Sequence, residues 1–588
     1  MSKINAVWNR VCTIAAAVAA ILSLAPAVWA QTAPAREVPR ERTLIIASRS
    51  AGPDLQGVGV ANPYMNGEFT NTGPHLINEP LFFLNTNANK VVPWLGTGFT
   101  YSADFKSVVI KLRTDAAWSD GRPFSADDVA YTINLLAENG RGKKDLQQAV
   151  AVASVVEKAT ADSADQVTIS FSQPSPRFVL EFLAWHFGRG LAILPAHVFR
   201  GVAEPATFTF FDISKGLPIS TGAYKLSRWT TSEITLDRRD DWWGAKSGFA
   251  KLPQVERVIV VPFVSNDRSA QLIVSDQIDV NRGHTTALVK KLLDDNPRLT
   301  TYSGRTSPYG NIDWWATSLF FNNKSAPFDD VRVRKAIGFA INRAQVIAIA
   351  HGGASQPTVS PFPDFGTLHP FIAATASLAA ANEVGTFDLK KSAALMEQAG
   401  FAKGRDGIWA REGQRLAAEI HSIADLASVG NVVAEQLRRA GFEATFVAAS
   451  DSVARIRDGR AQLILWGHHG STFDPFATLD SYTCKHARPN GEATFPFFSR
   501  WCDPAYDKLV AQIGSLSPSD PAPLELGKQA MEIWYRGSPE IPISEWYHQI
   551  PLNGTYWKNW PTAENAYAQP APWLSTGPLL LHNLQPVR

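Results

Sequence analysis

The sequence alternates helical patterns, glycines and short strands, and this order constrains the fold more than any other feature. Helices are predicted over Lys390–Ala399 and Val432–Ala440, and each is followed at once by a glycine that suits a left-handed C-cap. After Gly441, the run Ala444–Val447 has the composition of a strand. Such alternation argues for α/β layers and against a helical bundle or a β-sandwich.

Other segments fit the same class. Strands are predicted at Leu44–Ala47, Val108–Ile110 and Val255–Val264. Ser125 offers a hydroxyl N-cap, with the carboxylate of Asp128 three residues later, so a helix should begin there. A single amphipathic helix is predicted over Asp329–Ile347, with acids at its start and apolar residues along one side.

Composition limits the classes of partner. With 588 residues, 45% of them hydrophobic and 19% charged, the chain can bury several cores, which argues against disorder. The formal net charge is +2, and Lys3 and Arg10 account for it, because 56 − 2 = 54 cations then face 54 acids. The chain therefore has no basic excess that would favour a nucleic acid.

The first thirty residues have the pattern of a signal peptide. A short basic region precedes the apolar stretch Cys12–Leu24, and the small residues Val28 and Ala30 occupy the −3 and −1 positions. A membrane anchor is the alternative, but Pro26 breaks the run and no second apolar span of about 20 residues follows. We expect export to the periplasm with cleavage after Ala30.

The cysteines agree with export. Cys12 would leave with the signal peptide, so that Cys484 and Cys502 remain, 18 residues apart. In an oxidising compartment they most simply form a disulfide, whose loop closure would stabilise the fold by roughly 3 kcal/mol. A zinc site would need two more ligands at short spacing, and the sequence has no C-x-x-C.

No catalytic signature is complete. The sequence lacks G-x-S-x-G, H-E-x-x-H and the Walker loop. His468 and His469 are adjacent, and neighbouring side chains on a strand point apart, which favours a place in a loop or cleft wall over metal binding. Asp474 precedes Pro475 and is most simply part of a turn.

Aromatic residues are unusually frequent. There are 18 Trp and 32 Phe, and several are clustered in sequence: Trp242-Trp243, Trp314-Trp315, Trp546-Tyr547, Tyr556-Trp557 and Trp560. Some must be core residues, since indoles carry a large apolar area. The rest fit a cleft that stacks on a neutral ligand, and an aromatic cleft without a catalytic set favours a binding protein over an enzyme.

Several motifs, in order, resemble the periplasmic solute-binding proteins of the dipeptide/oligopeptide class, solute-binding family 5, which serve ABC importers. The matching stretches are Val92–Leu95, Leu112–Val129, Leu319–Asn322, Pro327–Ala336, Leu395–Phe401 and Pro539–Ile543. Pro218–Tyr224 is similar to a seventh, Pro-x-Gly-Thr-Gly-Pro-Tyr, but lacks its first Gly and its second Pro. The region of Cys484 and Cys502 also resembles the disulfide region of the dipeptide-binding subgroup.

The resemblance implies a two-lobed α/β fold of the type II periplasmic-binding-protein class, with an extra inserted domain and a hinge between the lobes. Domain I would comprise 43–72, 215–300 and 545–588, domain II 73–214, and domain III 301–544. Ligand would shift an open–closed equilibrium, and a permease in the inner membrane would recognise the closed form. No metal or organic cofactor is indicated, the charge balance favours no nucleic-acid partner, and a monomer is the default for this architecture.

The identity of the ligand is left open between two classes. In dipeptide-binding members an aspartate pairs with the peptide ammonium and an arginine with its carboxylate. Here His469 stands about where that aspartate would be, and Ser428–Asn431 replaces the arginine. Both departures weaken a clamp for charged termini, which leaves longer peptides held through their backbones, or a neutral oligosaccharide or opine-like sugar conjugate. Peptide import comes first because it is the commonest use of the family.

The site is expected between domains I and III. Its predicted residues are Trp314, Trp315, Trp466, His468, His469, Asp474, Trp546 and Tyr547. Trp466 and Trp546 would stack on the ligand, and His469 and Asp474 would be polar anchors. Two alternatives are an exported hydrolase of peptides or sugars, which would need a catalytic constellation in the cleft, and a sensor or chaperone that uses the cleft without a permease.

Overall fold

The structure is a computed structural model, and it describes residues 37–65, 73–364, 366–467, 470–494 and 497–588. The expected signal peptide, its cleavage site after Ala30, and the candidates His468 and His469 lie outside the described residues. Within those ranges, every helix is too short or too polar to cross a bilayer.

The described residues form both helices and strands, as the α/β prediction requires. The strands are β1 Thr43–Ala51, β2 Phe82–Asn85, β3 Lys90–Pro93, β4 Gly96–Tyr101, β5 Ser107–Leu112, β6 Val156–Ser163, β7 Gln166–Phe171, β8 Ala184–Trp185, β9 Tyr224–Trp229, β10 Ile234–Arg238, β11 Arg257–Phe263, β12 Leu299–Thr300, β13 Asn311–Phe321, β14 Ala402–Lys403, β15 Trp409–Arg411, β16 Gln414–Arg415, β17 Ala417–His421, β18 Glu443–Val447, β19 Leu463–Trp466, β20 Glu540–His548, β21 Leu552–Asn553, β22 Trp557–Lys558 and β23 Gln585–Pro586. The α-helices are α1 Ala126–Arg141, α2 Ala149–Ala153, α3 Ala196–Phe199, α4 Trp243–Lys246, α5 Asn266–Val274, α6 Thr286–Asp295, α7 Val331–Ala340, α8 Arg343–Ala350, α9 His369–Ala381, α10 Leu389–Gln398, α11 Ala427–Ala440, α12 Ser452–Arg457, α13 Phe476–Asp480, α14 Pro504–Ser515, α15 Ala522–Gly537 and α16 Gly577–Asn583. A single π-helical turn spans Val179–Leu183.

Two four-stranded sheets lie in the first half of the chain. The first has the strand order β1-β11-β10-β9, with β1 parallel to β11, so the predicted strands at Leu44–Ala47 and Val255–Val264 are neighbours. The second has the order β4-β5-β7-β6, all antiparallel, and α1 packs on it. The predicted capping box is confirmed at the start of α1, where the Ser125 hydroxyl accepts from the backbone N–H of Asp128 and the Asp128 carboxylate accepts from the backbone N–H of Ser125.

The third large sheet carries most of the predicted site residues. Its order is β18-β17-β19-β13-β20, and β13 lies antiparallel to both β19 and β20. One face of this sheet packs against α7, α8, α10 and α11 to form a separate hydrophobic cluster, the second core. The other face meets the main core at Ile312 and Trp314, and a small separate cluster at Phe320 and Ile464. The main core extends from Leu44 to Leu584 and includes residues of α13, α14 and α15.

The glycine signals for helix ends are confirmed. Gly441 follows α11 with φ 100°, and Gly400 lies just beyond α10 with φ 84°, both in the left-handed region. Helix α11, however, begins at Ala427, five residues before the predicted Val432. Gly430 therefore lies inside a helix, where its missing side chain lets the ring of Phe446 on β18 approach closely.

The single helix predicted over Asp329–Ile347 is wrong. The structure has two helices, α7 and α8, with a break at Ile341 and Asn342. The side chain of Asn342 accepts a hydrogen bond from the backbone N–H of Gln345 at 3.1 Å, which makes Asn342 an N-cap. The side chain of Gln436 on α11 bonds both backbone groups of Asn342, so a tertiary contact stabilises the break.

The predicted disulfide is confirmed, and it joins Cys484 to Cys502. The bond closes a loop in front of α14. The backbone N–H of Cys484 also donates to the carboxylate of Asp507 on α14 at 3.0 Å. Covalent and hydrogen bonds thus hold this loop against the helix.

Strand β20 begins with a buried acid. Glu540 is 1% exposed, and its carboxyl accepts a hydrogen bond from the hydroxyl of Tyr482. Burial raises the pKa of Glu540 from 4.5 to about 8, so the group is neutral in the folded protein at neutral pH. An acid with a raised folded pKa stabilises the fold fully below its unfolded pKa, and this contribution is lost as pH rises through the folded value.

We therefore expect Glu540→Gln to flatten the pH dependence of stability. The wild-type free energy of unfolding should fall more steeply than that of the variant between pH 4.5 and about 8, since glutamine stays neutral throughout. Urea unfolding at several pH values measures both curves, with the exposed Glu157→Gln as the control. Parallel curves for the wild type and Glu540→Gln would contradict the assignment.

Candidate functional site

Tryptophan burial singles out the predicted site residues. Of the tryptophans in the part of the chain that the structure describes, all are buried except four that are half-buried. These four are Trp314, Trp315, Trp466 and Trp546, all of them predicted site residues. Partial exposure leaves each indole some surface that a neighbouring molecule or segment could cover.

Strand β13 sends its two tryptophans to opposite sides, because successive side chains on a strand alternate. Trp315 packs against the second core and stacks on Trp546 of β20, with ring centroids 5.3 Å apart and an interplanar angle of 14°. Gly467 lies directly beside this stack, since a Cβ there would be 1.6 Å from Cε3 of Trp315. Trp315 and Trp546 thus form one unit on the second-core face.

Trp314 lies on the opposite face, against the main core. Its ring contacts Phe187, with centroids 5.1 Å apart, and the guanidinium of Arg189 is 5.9 Å from the ring centroid. Both partners belong to the turn 185–191, which we call the bridging turn. A residue predicted for domain III therefore contacts a segment predicted for domain II.

The side chain of Tyr547 lies on the same face of the sheet as that of Trp314. Tyr547 pairs with Ile312 on β13, and Ile312 packs on the main core as Trp314 does. Burial raises the pKa of the Tyr547 hydroxyl to about 12, so it remains a hydrogen-bond donor at neutral pH. Trp466 pairs with Ser318 and packs beside Phe498 in a small cluster of its own. The structure therefore divides the predicted set among three surroundings.

Asp474 has an ionic partner within the protein. Its Oδ2 is 2.6 Å from Nε of Arg177, and both side chains are buried. Burial raises the pKa of the Asp474 carboxyl, and the charge of Arg177 acts in the opposite direction. That Asp474 anchors the ligand stays a prediction. In the structure, the carboxylate of Asp474 is paired with Arg177.

A cavity of about 150 Å³, partly open to solvent, lies beside the bridging turn. It is lined by Val60, Ala61, Asn62, Pro63, Tyr64, Pro74, His75, Asn78, Gln147, Gln148, Trp185, Gly188, Gly190, Ala192 and Ser575. None of these described lining residues is an Asp, Glu, Lys or Arg, although amides, hydroxyls and an imidazole are present. The wall can therefore hydrogen-bond to an uncharged molecule and offers no ionic clamp.

The backbone around this cavity is unusual at three positions. Gln148 and Phe187 have φ of 63° and 46°, in the left-handed region that few non-glycine residues adopt, and Gly190 has φ of 113°. A Cβ at Gly190 would be 2.2 Å from Cδ1 of Trp185, so a glycine is required for this indole to reach the wall. Strained residues of this kind cluster at ligand-binding sites.

Two buried titratable groups lie in and next to the bridging turn. Burial raises the pKa of Glu181 to about 7, against the opposing effect of Arg189. Burial also lowers the pKa of His186 to about 3, so its imidazole is neutral, with Nδ1 2.8 Å from the backbone oxygen of Ala184. Among the described residues, no group of three or more His, Cys, Asp or Glu side chains could hold a metal ion.

None of the six predicted residues that the structure describes lines the cavity, and sequence reasoning missed both the bridging turn and Arg177. The bridging turn had a local signal, because Phe187-Gly188-Arg189-Gly190 carries two glycines and reads as a turn. Arg177 had none, since its partner Asp474 is 297 residues away.

Comparison with known proteins identifies the family. Residues 90–489 match the model of the bacterial extracellular solute-binding proteins, family 5. The nickel-binding periplasmic protein of Escherichia coli K12 is 25% identical over 444 residues, 72% of this chain and 76% of that protein. The dipeptide-binding protein of the same strain is 23% identical over 477 residues, 77% and 81% of the two chains.

A solved structure agrees in fold. The periplasmic oligopeptide-binding protein of an oligopeptide ABC transporter from Thermotoga maritima superposes with a TM-score of 0.78 at 18% identity, covering 93% of this chain and 99% of that one. The chain belongs to the bacterial extracellular solute-binding proteins of family 5. Its fold is the two-lobed α/β fold of the periplasmic binding proteins in that family, as predicted.

The Trp315–Trp546 stack can be tested through Gly467. Gly467→Ala should displace the Trp315 ring and destabilise the protein by about 1–3 kcal/mol, the usual cost of an overpacked core. Near-ultraviolet circular dichroism reports the loss of the stack, and thermal unfolding reports the destabilisation. Gly98→Ala is the matched control, because nothing lies within 4 Å of a Cβ at that position. If the near-ultraviolet circular dichroism spectrum of Gly467→Ala matched that of Gly98→Ala, the close packing of Gly467 against Trp315 would be contradicted.

Proposed function

We propose that this protein is the periplasmic substrate-binding component of an ABC importer, and that it captures an oligopeptide or a related amphipathic solute. The match of residues 90–489 to family 5 carries this proposal. Closure of two lobes around the cargo would bury it, and the closed form would dock on a permease in the inner membrane. The predicted signal peptide, cleaved after Ala30, would deliver the chain to the periplasm, where it would act as a monomer.

The proposed division of the chain follows the predicted boundaries. Domain I would be 43–72, 215–300 and 545–588, domain II 73–214, and domain III 301–544. Cargo would lie in a space bounded by the cavity wall and by the Trp314 face of β13. The bridging turn contacts both surfaces and would border this space. The other predicted residues, Trp315, Trp466, His468, His469, Asp474, Trp546 and Tyr547, would surround this space or support it.

The charge of the cavity wall bears on the cargo. The described lining residues present amides and hydroxyls and no acid or base of the Asp, Glu, Lys or Arg type. A peptide backbone suits such a wall, since its amide groups need one acceptor and one donor per residue. The same observation favours a second candidate, a neutral oligosaccharide stacked on an indole. We propose no enzymatic activity, so either cargo would be released chemically unchanged.

A cargo screen tests the proposal. Mass spectrometry of small molecules released by denaturing freshly purified protein should identify an uncharged or amphipathic compound. The purified, cargo-stripped protein should then gain thermal stability with that compound, and with members of a panel of peptides and neutral oligosaccharides, since a ligand stabilises the folded state. Failure of every panel member to raise the melting temperature, or hydrolysis of a bound compound, would overturn the proposal.

The cavity wall can be tested through Asn78. Asn78→Ala should weaken binding of the identified cargo roughly three- to tenfold, the value of one neutral hydrogen bond. The melting temperature without cargo should stay unchanged, because no hydrogen bond within the described protein uses the Asn78 side chain. Isothermal titration calorimetry measures the affinity, and Gln512→Ala, which removes an exposed amide outside the cavity, is the control. Unchanged affinity in Asn78→Ala would place the cargo elsewhere.

A further inference from the structure

The cavity beside the bridging turn is bounded by an indole that the protein holds in one position. Nε1 of Trp185 donates to the backbone oxygen of Leu191 at 2.8 Å, and the ring packs edge-on against Phe83, with centroids 6.2 Å apart. Gly190 leaves space for this ring, because a Cβ there would be 2.2 Å from Cδ1 of Trp185. Contacts within the protein therefore fix the indole at the cavity wall.

Two further hydrogen bonds fasten the wall. The hydroxyl of Tyr64 donates to the backbone oxygen of Ala192 at 2.6 Å, and the backbone N–H of Ser575 donates to the oxygen of Phe187. These bonds tie the segment between β1 and β2, and the segment that precedes α16, to the bridging turn and the residue after it. A wall that is already fastened loses little affinity to the ordering of the site when a ligand binds.

The volume of the cavity limits what enters it. An apolar cavity of about 150 Å³ holds a single benzene ring, and this cavity has about the same volume. It is also partly open to solvent, so the remainder of a larger molecule can continue outside it. The cavity therefore has room for one side chain or one six-membered ring of a cargo molecule.

The side chains on the wall select by chemistry as well as by size. The amides of Asn78 and Gln148 and the hydroxyl of Ser575 can each donate and accept hydrogen bonds. None of the described lining residues is an Asp, Glu, Lys or Arg. Arg189 belongs to the bridging turn but is not a lining residue, and its Nη2 donates to the backbone oxygen of Gly470 at 2.9 Å.

This wall disfavours two kinds of cargo group. A charged group would leave water without meeting a counter-ion, which is costly. An apolar group would cover the wall amides without replacing their hydrogen bonds to water, which is also unfavourable. An uncharged group with both donors and acceptors meets neither difficulty. The carboxamide side chain of a peptide and the hydroxylated ring of a neutral sugar both supply this chemistry.

We propose that the cavity selects one uncharged cargo group that both donates and accepts hydrogen bonds, with Asn78 as a specificity-determining residue, and that Trp185 sets the upper limit of the group's size. The proposal rests on the proposed function and adds a selection rule to it. Groups of the same shape are distinguished by their hydrogen bonding, and groups of the same chemistry are distinguished by their size.

Peptides of equal shape test the selection without a known cargo. The probes are alanine tetrapeptides in which one residue at a time is replaced by asparagine, leucine or aspartate, and calorimetry on cargo-stripped protein measures each Kd. At one position, the asparagine peptide should bind roughly tenfold more tightly than the other two, because only its side chain replaces the wall's hydrogen bonds without a charge. Methyl hexopyranosides are the second arm, which detects a sugar as the source, by saturation-transfer NMR.

Asn78→Leu keeps the size of the side chain and removes its hydrogen-bonding groups. It should reverse the ranking of the asparagine and leucine peptides, or weaken hexopyranoside binding roughly tenfold. Gln512→Leu, the same kind of change at an exposed amide outside the cavity, should keep the wild-type ranking. Should Asn78→Leu fail to fold, Gln148→Leu removes another lining amide at an exposed residue and decides the question.

The size limit has a test of its own. A bulkier analogue of the preferred probe, either the peptide with tryptophan at the selected position or a benzyl ether of the hexopyranoside, should bind the wild type roughly tenfold more weakly. Trp185→Leu should remove most of this difference, since it shortens the indole that bounds the cavity. Trp185→Phe is the smaller change to use if Trp185→Leu does not fold. Equal discrimination by the wild type and the folded variant would overturn the limit.

The selection is overturned if the wild type shows no preference for asparagine over leucine at any position and binds no hexopyranoside. An unchanged ranking in Asn78→Leu would overturn it as well. Peptides that bind without regard to their side chains would still agree with the proposed function, which the cargo screen decides separately. The failure of the selection rule and the failure of the proposed function are therefore distinguishable.

Discussion

The pleat of strand β13 decides the layout around the candidate site. Because successive side chains alternate, Trp315 enters the second core and stacks on Trp546, while its neighbour Trp314 faces the main core and the bridging turn. The same strand lies between β19 and β20, so both of its edges are hydrogen-bonded and its position is fixed. The face of the sheet on which a predicted aromatic residue lies therefore decides which core it contacts.

Charge is distributed unevenly around the bridging turn. On the cavity side, the described wall has hydrogen-bonding groups without the acids or bases that would select a charged cargo. Away from the cavity wall, Arg177 pairs with Asp474 and donates to a helix end, and Glu181 lies within electrostatic range of both charges. The charged groups therefore join protein segments, and the uncharged groups of the wall are the ones offered to the proposed cargo.

Local sequence signals predicted local structure well. The capping box at Ser125, the glycine at 441 after α11, and the Val/Ile-rich strand at Val255–Val264 depend on residues close together in the chain, and all three were found. The predicted helix Asp329–Ile347 failed because Gln436, almost a hundred residues away, bonds the backbone at Asn342 and supports a break. Periodicity along one segment carries no information about such a distant partner.

The sequence by itself determined the α/β class, the disulfide and the family, because each depends on residue types in a fixed order. It also supplied the four half-buried tryptophans as candidates, Trp314, Trp315 and Trp546 from aromatic clusters and Trp466 from the resemblance to the family. Only the tertiary structure decided which face of the sheet each aromatic occupies, that Asp474 meets Arg177, and that an uncharged cavity lies beside the bridging turn. These features arise where segments hundreds of residues apart are packed together, and their energies depend on burial and distance, which no local pattern encodes.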